Sequence, residues 1–314
     1  MVVAQVLEFA FTLDASSGSE ELCLLLDGVA ALKHVRLEEG WARKGGRKGR
    51  PEQGEEEEEN KAKRVFFLNL YHLSILLARL ILGPPPSSSG LKWCSYFSMA
   101  AMEVGGDIYS LAELEHNVLR AYAPRPRGAL LRFLLPSTKY PPSLPPSVHD
   151  YRLNFALHCG SVSCPVPSVP IYTRESLEEQ LEMMMRWSLE RACVLGGGGG
   201  REGGKAGRTL NLPKMCLWYQ KDFKPDMLSA IVARLPLEKQ RVVRGWMGGG
   251  GGREGGRGLS MSMSLSGGEG GGGGREGGIT MRYLPFSFET RALRRLDEEE
   301  EMRMRPLKPP VVGR

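Results

Sequence analysis

The run VFFLNLYHLSILLARLIL, residues 65 to 82, constrains this chain more than any other segment. Its eighteen residues could just cross a bilayer. Asn69, His72 and Arg79 interrupt it, however, and no second span follows. A helix that is apolar all round and carries a few polar groups belongs in a protein core. The run therefore predicts a buried central helix, ended by Gly83 and three prolines, and no membrane span. Buried polar groups need partners. Asn69 and His72 lie three apart on one helix face with Tyr71 beside them, so this face either closes a core network or supports a site.

The other segments fit around that helix. SGSEELCLLLDGVAALKHV predicts an amphipathic helix from about Ser19 to Val35. SLAELEHNVLRAY, from Ser110, opens with a capping box of Ser110 and Glu113. On its helical wheel Leu111, Leu114, Val118 and Tyr122 form the apolar arc, and Glu115 falls inside it. A carboxylate there needs a partner, with Arg120, Arg152 or His116 as candidates. Alternation in DYRLNFALHCG predicts a strand that ends at Cys159, where Gly160 permits a sharp bend. Thr173 to Ala192 reads as an amphipathic helix and Ile279 to Phe288 as a final strand, while Pro124 to Pro146 reads as an irregular loop.

Low-complexity tracts divide these elements. The nonamer GGGGGREGG starts at Gly196, Gly248 and Gly270, at unequal spacings, so it is not a solenoid repeat. Tracts 196–207 and 248–278, and the charged stretch 43–63, have little apolar surface to offset backbone entropy and are expected to be disordered. The fold class expected is α+β: a single domain over 19–290 with a central buried helix, amphipathic helices and a small sheet. Residues 1–18 form an N-terminal segment and 291–314 a charged tail.

The net charge of +6 is scattered over inserts and tail without an RNA-binding aromatic signature, zinc finger or basic helix. Nucleic acid is not the expected partner; a protein or peptide is. The first residues lack the early positive charge of a signal peptide, and six irregularly spaced cysteines do not form a secreted disulfide framework. A cytoplasmic location is expected.

HCGSVSCP, residues 158 to 165, holds the chemistry. Cys159 or Cys164, with His116 and with Glu115 or Asn69, supplies the thiol, base and orienting group of nucleophilic catalysis. A Cys159–Cys164 redox pair, a zinc site with His116 and His158, or two thiols bracing a turn are the alternatives. No GxSxG, HExxH, Walker A or Rossmann fingerprint is present, and no cofactor or metal is expected.

Four segments in order carry a family resemblance: FFLNLYHLSILLARL, YSLAELEHNVLRA, DYRLNFALHCGSVSCP and WYQKDF. Together they resemble the domain of unknown function 547 family. That resemblance implies that Asn69, Tyr71, Glu115, His116, Arg120, Asp150, Arg152, Cys159, Ser163 and Cys164 converge, with Tyr71, Arg120, Asp150, Arg152 and Ser163 as binding candidates. It leaves the activity open between an interaction module and a thiol hydrolase or transferase acting on an amide, isopeptide or thioester bond. This chain departs from the family pattern at His72, where a second Asn is usual, and at His158, where Asn is common.

Overall fold

A computed structural model describes residues 2–14, 16–37, 53–87, 89–124, 144, 149–196, 208–248, 274–276 and 279–304. Most of the expected loop 124–146 and of tracts 196–207 and 248–278, and residues 43–52 of the charged stretch, lie outside the described residues.

The first half is helical: α1 (Val2–Thr12), α2 (Ser19–Ala31), α3 (Gln53–Leu82) and α4 (Gly90–Met99). Helix α3 is the predicted central helix, with Phe67, Leu68, Leu70, Tyr71 and Leu73 wholly buried. It is long and apolar enough to cross a membrane by length and composition, yet these residues face other protein elements. It also starts earlier than expected, so residues 53–63 are helix and not disordered chain. Acidic side chains favour the positive end of a helix, and Glu59 pairs with Lys63 at 2.6 Å one turn on.

Two further expectations need correction. Residues 1–18 are not a separate segment, because α1 packs along α3 and buries Val3 and Leu7. Residues after 291 are not only a charged tail. Leu293 and Leu296 are buried, and β8 (Arg294–Arg295) pairs in parallel with β3 (Ser168–Val169).

A hairpin of β1 (Ala101–Val104) and β2 (Asp107–Ser110) follows α4. Its two-residue turn, Gly105–Gly106, has φ of +63° and +86°, the left-handed region in which hairpin turns favour glycine. The capping box at Ser110 is present, but only one turn, α5 (Leu111–Glu113), is α-helical. Leu114–Leu119 is a π-helix, closed by the Arg120 amide on the Glu115 carbonyl at 2.9 Å. Tyr122, expected on the apolar arc, lies beyond this helix and is exposed.

The predicted strand before Cys159 is instead a helical turn, α6 (Leu153–Ala156). Asp150 starts it by accepting the Arg152 amide on its side chain at 2.9 Å. Every residue from Leu153 to His158 is buried, so the alternation in sequence has no solvent face to report.

Helix α7 (Leu177–Ala192) joins two cores: Leu177, Leu181 and Met184 face the first, Met185 and Leu189 the second. The second core lies under a sheet of order β4-β5-β7-β6, from β4 (Val194–Gly196), β5 (Thr209–Leu212), β6 (Gly274–Glu276) and β7 (Ile279–Tyr283). Helices α8 (Lys214–Trp218), α9 (Met227–Val232) and α10 (Leu237–Gly248) complete this half, and α11 (Glu298–Met304) follows β8. The final strand stops at Tyr283, five residues short of the expected end, and β6 falls inside a tract expected to be disordered.

Candidate functional site

The π-helix sets one side of the site. Its extra residue per turn keeps Leu114, Val118 and Leu119 in the core while Glu115 and His116 line a cavity of about 460 Å³. Glu115 Oε1 accepts a 2.7 Å hydrogen bond from the Tyr219 hydroxyl, and Oε2 a 3.5 Å bond from Tyr71. Burial, then the Glu115 charge, pushes both phenols well above their ordinary range, so they remain donors. His116 Nε2 lies 3.8 Å from Glu115 Oε1, as one expectation had it.

Arg120 does not meet Glu115. It donates to Asn154 Oδ1 and Asp222 Oδ2, each at 2.7 Å, and its guanidinium stacks 3.6 Å from the Tyr219 ring centre. Asn154 donates to the same Asp222 oxygen at 2.9 Å. This buried ion pair ties the π-helix, α6 and the turn after α8 together behind the cavity wall. Arg152 also misses Glu115: it pairs with Asp150, Glu178 and Glu182. Asn69 is likewise committed elsewhere, accepting the Tyr172 amide and donating to the Tyr172 carbonyl at 2.9 Å each. Asn69, Arg120, Asp150 and Arg152 thus support the surroundings, while Tyr71, Glu115, His116, Cys159, Ser163 and Cys164 line the cavity.

The loop from His158 to Cys164 sets the opposite side. His72 accepts the His158 amide at 3.3 Å on Nε2 and stacks on Tyr172, and burial pushes it down to about 3. Gly160 has φ +79°, and its amide donates to His158 Nδ1 at 3.0 Å. The result is a close, unbonded thiol pair, with Cys159 and Cys164 Sγ 3.4 Å apart. The hydrogen bond from Cys159 brings Cys164 down to about 5 against the cost of burial, helped by His158, the Cys159 amide and Arg291. The same bond, with burial, raises Cys159 well above the ordinary thiol range.

Most backbone donors in this loop have partners. The Cys159 amide faces Cys164 Sγ and the Ser161 amide faces Cys159 Sγ. Val162 donates to the Glu289 carbonyl, Ser163 to Ser161 Oγ and Cys164 to the Ser161 carbonyl. Pro165 has no amide hydrogen to offer.

Residues 284–291 strap the loop down. Ser287 donates its amide to Ser163 Oγ at 2.6 Å and accepts Ser161 Oγ on its carbonyl at 2.7 Å. The Arg291 amide donates to the Gly160 carbonyl, and its side chain to the Cys164 carbonyl. Either side of Ser287, Phe286 and Phe288 enter the cavity beside Trp93, Phe97 and Trp218. Sequence reading missed this aromatic wall, whose members come from three distant segments. The signal was the aromatic density of KWCSYF, WYQKDF and LPFSF. Among the described residues no group of three or more His, Cys, Asp and Glu side chains is gathered to hold a metal ion.

Residues 56–187 match the model of the family described as Protein of unknown function, DUF547. The chain carries a DUF547 domain. The match takes in α3, the π-helix and the thiol loop, but ends before Trp218, Tyr219, Asp222 and the strap, so the DUF547 match holds one side of the cavity and not the other. No curated protein and no solved structure matches the chain.

Proposed function

We propose that this DUF547 protein is a thiol-dependent enzyme whose Cys159–Cys164 pair carries out thiol–disulfide exchange. The observation that carries the reading is the 3.4 Å contact between one lowered and one raised thiol, both half-buried and both lining a cavity. A thiolate attacks a disulfide sulfur without building charge on an oxygen, so the reaction needs no oxyanion donors. Acyl transfer does need them, and the Val162, Ser163 and Cys164 amides of this loop already have partners. Cys164 attacks a disulfide RS–SR and forms a mixed disulfide as RS⁻ departs. Cys159 gives its proton to that thiolate, attacks Cys164 Sγ and expels the second RS⁻. Two electrons pass from the dithiol to the substrate, and two equivalents of a low-molecular-weight thiol restore the pair.

The Glu115–His116 pair in the same cavity favours one second reading, hydrolysis or transfer of a thioester with His116 as base. Turnover of bis(2-hydroxyethyl) disulfide and of a simple thioester by the reduced chain separates the two. Disulfide turnover should vanish in Cys164→Ser, and Cys159→Ser should trap a mixed disulfide at Cys164, seen by mass spectrometry. Thioester turnover without disulfide turnover would favour the second reading.

A further inference from the structure

The aromatic wall is placed to choose the substrate. Trp93 and Phe97 come from α4, Trp218 from α8, and Phe286 and Phe288 from the strap. Ring centres lie 4.9 Å apart for Trp218–Phe286, 5.2 Å for Phe286–Phe288 and 5.7 Å for Trp93–Phe288, tilted or edge-on. Phe286, Phe288 and Trp218 keep part of their surface open. Tilted pairs present both faces and edges, the geometry in which a further ring packs well.

Position strengthens the case. Ser287, between the two phenylalanines, is hydrogen-bonded to Ser161 and Ser163, the latter next to Cys164. The wall is therefore held in fixed register to the thiols by the strap itself. Size fits as well. The cavity of about 460 Å³ is roughly three times the ~150 Å³ that accommodates a benzene molecule. Two rings joined through sulfur fit in that space.

We infer that the cavity selects disulfides bearing aromatic groups, with one ring against Trp93, Trp218, Phe286 and Phe288 and the S–S bond delivered to Cys164. The inference rests on the dithiol reading of the site. Each turnover releases two aryl thiols, oxidises Cys159 and Cys164 to a disulfide, and is reset by two equivalents of a low-molecular-weight thiol.

The test compares 4,4′-dithiodipyridine with bis(2-hydroxyethyl) disulfide, each rate divided by that of a free small thiol to remove intrinsic reactivity. The normalised preference for the aromatic compound should be about 10- to 100-fold, the range that burial of an apolar group supplies. Phe288→Leu, checked for folding by circular dichroism, should lower that preference. Because a variant can misfold, a second measurement uses the wild type: 1,2-diphenylethane, which has no sulfur, should protect Cys164 from iodoacetamide. No preference and no protection would overturn the inference while leaving the dithiol reading intact. Protection by diphenylethane with no turnover of either disulfide would overturn the dithiol reading, and the substrate assignment with it.

Discussion

Two pairs of thiols sit in this molecule, in unlike surroundings. Cys193 and Cys216 both lie in the second core, among Leu189, Leu210 and Leu212, and both are fully buried. Burial there pushes Cys193 up to about 12 and Cys216 well above its ordinary range. Cys159 and Cys164 are also shielded, yet the hydrogen bond from Cys159, helped by His158, the Cys159 amide and Arg291, brings Cys164 down to about 5. The side chain is the same. What differs is whether nearby polar groups answer a negative sulfur or leave it to hydrocarbon.

Alkylation by iodoacetamide should expose that contrast most strongly. Cys164 labelling should rise as pH climbs through about 5 and then level off. At pH 6 it should exceed labelling of Cys193 and Cys216 by at least about a hundredfold, read by mass spectrometry. Equal rates would erase the comparison. Next in size is the ion pair behind the site. Asp222→Ala strands a buried Arg120 and should cost about 3–5 kcal/mol in urea unfolding. A loss below about 1 kcal/mol would mean that the pair is not buried in solution.

Serine substitution sharpens the comparison further. Cys216→Ser places a hydroxyl in an apolar core and should cost about 1–3 kcal/mol. Cys164→Ser, beside polar partners, should change stability by about 0.5 kcal/mol or less. Similar losses would place the two pairs in like surroundings. A pH effect concerns His72, held near 3 against an ordinary value of 6.5. The unfolded chain takes up a proton below about pH 6.5 that the folded chain refuses until about pH 3. Stability should thus fall on acidification across that window, by at most about 1.4 kcal/mol per pH unit. His72→Asn, which removes the titrating imidazole, should flatten that slope.

Legibility in the sequence followed the same physics. Helix α3, the capping box and α7 were readable because periodicity and caps are local signals. The turn at Leu153–Ala156 was misread because burial on every side removes the exposed face that gives alternation its meaning. Charge density at Glu55–Glu59 looked like solvated coil, although the same residues favour a helix start ahead of an apolar run. Glu115 was correctly placed inward, but its phenol partners were not foreseen, since Tyr219 lies 104 residues away. The bend at Gly160 was legible from one residue type; the hydrogen bonds around it, made to Glu289 and Arg291, were not.

The strap has a consequence for how the protein is born. Ser287 meets Ser163 across 124 residues, and long-range closures of this kind form late in folding. On a ribosome the thiol loop emerges well before Trp218, Phe286, Phe288 or Arg291 has been made. For that interval Cys159 and Cys164 stand without the roof that later screens them, beside a core whose apolar faces are already in place. The newborn chain therefore passes through a stage in which the two cysteines meet whatever oxidants or stray thiols surround it, and the arrival of the 284–291 strap closes that window.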